Sequence, residues 1–93
     1  MIEIISSAIR QYNLLQYSYK GATRIVEPHL LGVSKANNIC LSAFQLSGGS
    51  GISFRQFNID EISSLVVLDE KFSGSRPGFN PADPSFVRVI ESL

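Results

Sequence analysis

Apolar residues recur at helical spacing at the start of the chain, at Ile2, Ile5, Ala8 or Ile9 and Tyr12, with Glu3, Ser6, Ser7, Arg10 and Gln11 between them. That period predicts an amphipathic helix ending near Asn13 and packed as a lid on the rest of the domain. From Leu14 the period drops to two. Leu15, Tyr17 and Tyr19 fall on one face and Gln16, Ser18 and Lys20 on the other, the mark of a half-buried strand, and Gly21-Ala22-Thr23 supplies a turn. Residues 23–34 read as a second strand. Pro28 removes a ladder donor there and Gly32 has no side chain to pack, which predicts an edge position or a bend. After a turn at residues 35–38, a third strand at 39–46 sets Ile39, Leu41 and Ala43 against Cys40, Ser42 and Phe44, leaving both faces fairly apolar. Residues 47–51, rich in glycine and serine, form a flexible connection to a fourth strand at 52–57 carrying Phe54, Arg55 and Phe57. A helical turn at 58–62 leads into a β-branched apolar strand at 63–68, the fifth.

Residues 72–83 hold two of the four prolines, with a third directly after them at Pro84, and two glycines around Phe79, which predicts an ordered loop whose Phe72 and Phe79 need somewhere to dock. Asp83 followed by Pro84 has the form of a helix start, a side-chain acceptor at the N-cap and a preset dihedral after it. With Phe86, Val89, Ile90 and Leu93 then on one face, a short C-terminal helix is predicted. There is no internal repeat. The fold class is mainly β, an open or closed five-stranded barrel with a helix at each end, in a single domain spanning residues 1–93.

Bulk properties narrow the function. Ninety-three residues suffice for one modest core, and a formal net charge of zero argues against a protein that coats nucleic acid, because counterion release needs a concentrated basic face. A local basic pocket stays open. The single cysteine, Cys40, cannot form an intrachain disulfide, and Glu3 stands where a signal peptide would carry a base, so a cytoplasmic protein is expected. No apolar run reaches the roughly 18 residues that span a bilayer, so no membrane partner is expected.

Four residues are the candidates for ligand binding. Arg24 and Arg55 sit on apolar strands where a guanidinium can present its fork to phosphate or carboxylate; the structural alternative pairs them with Glu27 or Asp60. His29, the only histidine, can donate to an anion, although a histidine beside Pro and Leu is more often a hydrogen-bonded structural residue. Tyr19 can stack a base, whereas Tyr17 is assigned to the core. No catalytic set emerges. Cys40 with His29 lacks a third group, Gly48-Gly49-Ser50-Gly51 is followed by neither Lys-Ser nor a helix, and the pairs Asp60-Glu61 and Asp69-Glu70 read as solvated turn charges without metal spacing. No cofactor or metal is therefore expected.

The order helix, tyrosine-bearing strand, Arg24-x-Val26-x-Pro28-x-Leu30, hairpin, Arg55-x-Phe57-x-x-Asp60-x-Ile62, then Phe72 resembles the WYL domain family of bacteria and their phages, over nearly the whole chain. The resemblance implies an Sm-like or SH3-like five-stranded barrel serving as a ligand-sensing or regulatory module for nucleotides or short single-stranded nucleic acid. Two positions depart from the family. Ile39-Cys40-Leu41 stands where the naming triplet stands, keeping only the leucine, and Glu61 replaces a basic residue. Those losses favour the rival reading, a module for a partner protein or homo-oligomer that docks through the edge near Pro28 or the strand at 63–68.

Overall fold

The helical period at the N-terminus becomes α1 (Ile2–Gln11) in a computed structural model of the chain, which describes residues 1–49 and 51–93. Ile5, Ala8 and Ile9 form its buried side. Tyr12 ends the helix in the left-handed conformation, so its ring turns outward and is 45% exposed instead of joining that side. Antiparallel neighbours β1 (Asn13–Tyr19), β2 (Ala22–Ser34), β3 (Ile39–Ser47) and β4 (Ser53–Asn58) come next. A 3-10 turn (Ile59–Glu61) then leads to β5 (Ile62–Lys71), which pairs back onto β1. The last strand, β6 (Phe86–Ser92), pairs with β2.

The ladder runs β4-β3-β2-β1-β5, and among the described residues no pairing joins β4 to β5, so the antiparallel sheet is not closed. Strand alternation gives this sheet two faces. On the inner face Leu15, Tyr17, Tyr19, Val26, Leu31, Leu41, Ala43 and Phe57 pack with Ile5 and Ile9 of α1 into one apolar cluster. At its centre the Phe57 ring meets Tyr17 at 5.2 Å and Tyr19 at 4.9 Å, both edge to face. On the outer face of β3 and β4, Phe44 and Phe54 meet at 5.3 Å, and Phe79 from the loop after β5 stacks near Phe54. β3 therefore reads as apolar on both sides because both sides are covered.

Three expectations need correction. The C-terminal helix is absent: residues 86–92 form β6, making six strands instead of five. The Asp83 carboxylate accepts from the N–H and hydroxyl of Ser85, closing a local turn that does not continue as a helix. Val87, Val89 and Ile90 then favour an extended chain, and β2 offers them a ladder. Pro28 is not at an edge. β2 is central, and Pro28 falls where it changes partner, between Val26, paired with Leu15 of β1, and Leu30, paired with Ser92 of β6. The register against β3 also slips there, from Pro28 opposite Ala43 to Leu30 opposite Ser42, so His29 is the extra residue of a bulge. The bend expected from Pro28 is present.

Gly32 serves a close approach. A Cβ at this position would lie 2.5 Å from the Arg88 carbonyl oxygen and 2.9 Å from the Phe86 ring, so β6 reaches β2 only because residue 32 has no side chain.

Candidate ligand-binding site

Arg24 lies on the inner face near the β3–β4 connection. Its Nη1 donates to Gln45 Oε1 at 2.9 Å and its Nη2 to the Tyr19 carbonyl at 3.1 Å. The guanidinium also lies 5.6 Å from the centre of the Tyr19 ring and 5.9 Å from that of Phe57. Gln45 is fully buried, and its amide nitrogen donates to the carbonyls of Gly48 and Gly51 at 2.6 and 2.7 Å. Arg24 and Gln45 thus brace the connection from inside. The backbone comes so close that a Cβ on Gly49 would meet Arg24 Nη1 at 2.5 Å. The glycine-rich run is therefore a hairpin connection packed on an arginine; its Ser50 lies outside the described residues.

Arg55 is half-buried on β4, opposite Ala43 and two residues before Phe57, which places it on the same face as Arg24. Tyr19 is 8% exposed, and its hydroxyl accepts from the Asn58 N–H at 3.2 Å and reaches Glu61 Oε2 at 3.4 Å. Its ring packs on Phe57, so no face is offered to a base.

His29 lies on the opposite face, apart from the arginines. It is fully buried among Phe54, Phe72 and Phe79, whose ring centres lie at 5.1, 5.7 and 5.0 Å. The Glu27 carbonyl, 2.8 Å from Nδ1, can only accept, and the Arg76 N–H, 3.1 Å from Nε2, can only donate. The neutral tautomer protonated at Nδ1 satisfies both partners. Burial lowers the His29 pKa, and the nearby Arg76 charge adds to the lowering while the Glu27 contacts oppose it. A neutral, enclosed imidazole with both nitrogens engaged does not hold an anion.

Sequence reading missed the ion pair beside it. Glu27, 5% exposed, is clamped by Arg76 Nε and Nη2 at 2.8 and 2.9 Å, and the Arg76 guanidinium lies 4.5 Å from the Phe44 ring centre. The available signal was an acid between Val26 and Pro28 on a buried strand, which needs a cation from elsewhere. Arg76 supplies it from a loop 49 residues away.

The concave region lies elsewhere. A cavity of about 390 Å³ opens between the β2–β3 turn, β4 and the start of β6, with Tyr19, Lys35, Asn38, Gln56 and Asn58 among its walls. Lys35 makes no ion pair among the described residues, and the side-chain amides of Asn38 and Gln56 make no hydrogen bond there. Cys40 lines the same cavity, but burial raises its pKa and keeps the thiol protonated, while both His29 nitrogens are already taken. Of the four residues singled out in the sequence, only Tyr19 reaches this cavity. The turn at 35–38 carried no signal beyond its turn composition.

A second groove of about 340 Å³ runs between α1 and β5, lined by Glu3, Ile4, Ala8 and Val67 among others. Ile4 and Val67 are 49% and 43% exposed. Among the described residues no group of three or more His, Cys, Asp or Glu could hold a metal ion, and no helix is long and apolar enough to cross a membrane. No family model, curated protein or solved structure matches the chain.

Proposed function

We propose that this chain is a non-catalytic binding module that takes a nucleotide-type ligand, or the end of a short single strand of nucleic acid, in the cavity beside Lys35. One observation carries this reading: an ammonium without an ion pair and side-chain amides without a hydrogen bond, among the described residues, line a space of about 390 Å³. That volume lies within the roughly 300–1,000 Å³ of small-molecule sites. Lys35 offers a charge for phosphate, and Asn38 and Gln56 offer the paired donor and acceptor that match base edges. The strand order β4-β3-β2-β1-β5, with a 3-10 turn between β4 and β5, supports an Sm-like barrel and the WYL-like, regulatory character read from the sequence. A reduced, buried Cys40 fits a cytoplasmic setting.

The ligand's anchor moves from Arg24 and His29 to Lys35 and the amides, because Arg24 braces the hairpin and His29 is enclosed. A Lys35→Ala, Gln56→Ala variant is expected to bind mononucleotides and labelled oligonucleotides at least about tenfold more weakly than wild type, the scale of a lost hydrogen bond to a charged group. Calorimetric titration at near-physiological salt measures this. A folded wild type that binds none of these ligands would rule the reading out.

A second reading rests on the groove between α1 and β5, where exposed Ile4 and Val67 suit a partner protein or a second copy. The β5 edge is a poor template for strand addition. Its register against β1 shifts twice, between Asn13 and Leu15 and between Gln16 and Ser18, and bulges of this kind protect sheet edges. Light scattering that finds a single monomeric mass at all concentrations would exclude the self-association form.

A further inference from the structure

After β5 the chain crosses the outer face of the sheet as a strap, residues 73–85, before joining β6. The strap forms no strand, and its turns bond mainly to themselves, Phe79 N–H to the Arg76 carbonyl and Asp83 N–H to the Asn80 carbonyl. Its hold on the sheet converges on His29. The Arg76 N–H donates to His29 Nε2, Phe79 packs edge-on against the imidazole, and Phe72 at the strap's root stacks on it. The Arg76 side chain adds the Glu27 pair and covers Phe44. At the far end the Lys35 N–H donates to the Ser85 carbonyl.

We propose that this strap is an acid-released latch with His29 as its trigger: protonation at Nε2 turns the acceptor for the Arg76 N–H into a donor, and the strap lifts off Phe44 and Phe54. Two N–H groups would then point at each other inside an apolar box, and the new charge would face the Arg76 guanidinium. The charged groups facing His29 are Glu27 on its own strand and Arg76 on the strap. Phe54 of β4, Phe72 and Phe79 bring no charge, and Leu93, after β6, contributes its N–H to the His29 carbonyl.

Linkage sets the direction. Docking keeps His29 below its ordinary pKa of 6.5, so the docked state binds fewer protons than the open one. Docking is at full strength above 6.5 and weakens as pH falls below it, by up to about tenfold in equilibrium constant per pH unit, until the docked-state pKa is passed.

The test is an NMR pH titration from 7.5 to ~4 that follows the His29 ring and the exchange of the Arg76, Gly78 and Phe79 amides, corrected for intrinsic pH dependence. The ring and the strap amides are expected to share one midpoint below 6.5, while the amides of Leu31 and Leu41 stay protected. A ring that titrates without any change in strap exchange overturns the latch. In Glu27→Gln, which removes the carboxylate and keeps His29, the shared transition of ring and strap is expected to persist; a strap that is protected at pH 7.5 and no longer opens on acidification would assign the opening to the carboxylate and also overturn the proposal. His29→Gln, which keeps a neutral acceptor, is expected to hold the strap closed over the same range, and opening at the wild-type midpoint would exclude His29 as trigger.

Discussion

Replacing Phe57 with alanine is expected to cost about 3–5 kcal/mol, the range for removing a fully buried aromatic side chain. The ring is 1% exposed and fills the space between the two tyrosines of β1, with the Arg24 guanidinium at 5.9 Å. Its loss leaves a cavity that α1 cannot fill, because Ile5 and Ile9 are already packed on the same cluster. A domain of this size has a net stability of roughly 5–15 kcal/mol, so the variant should be only marginally folded. At about 4–8 °C per kcal/mol, its melting temperature should drop by more than ~10 °C. Phe57→Leu, which keeps most of the volume, should lose much less. Thermal denaturation by circular dichroism measures both, and similar melting curves for Phe57→Ala and wild type would contradict the assignment of Phe57 to the centre of the core.

Gly32→Ala is expected to be nearly as informative although it adds only one methyl group. Overpacking of this kind costs about 1–3 kcal/mol. The Phe86 ring, 2.9 Å from the added Cβ, can rotate away, but the Arg88 carbonyl at 2.5 Å can move only if β6 leaves its register. Ile90 of β6 also packs on the central cluster, so the effect should reach beyond the β2–β6 ladder. Hydrogen exchange should show amides 86–92 losing protection while those of β1 and β3 keep theirs. A Gly32→Ala protein with unchanged stability and a protected β6 would mean that β6 does not lie against Gly32.

The elements that could be read from the chain are those whose pattern is set by one buried face. The α1 period and the alternation of Leu15, Tyr17 and Tyr19 both translate directly into core contacts. Phe72 and Phe79, placed in an ordered loop, dock on His29 as their size demanded. The C-terminal segment failed for a physical reason: Asp83-Pro84 satisfies the local rule for a helix start, yet the vacant half of β2 selects a strand. Barrel closure depends on long-range contact between β4 and β5, which no local pattern encodes.

The candidate site was less legible. Arg24 and His29 share one segment, but they are five residues apart on a strand, and alternation already sends them to opposite faces. The bulge at His29 then aims its ring into the aromatic cluster. Gln45 could have been noticed as a polar residue in phase with Leu41 and Ala43; it turned out to be the acceptor that holds Arg24. Lys35, Asn38 and Gln56 carry no periodicity, because a cavity wall assembled from a turn and an edge strand exists only after the chain has folded.

The placement of a nucleotide-type ligand beside Lys35 is best tested by mapping amide shifts while the wild-type protein is titrated with a mononucleotide. Saturable shifts are expected at Lys35, Asn38, Gln56 and Asn58, with residues 24 and 29 unmoved. Shifts centred on Arg24 and Arg55, or no shifts at millimolar ligand, would contradict that placement.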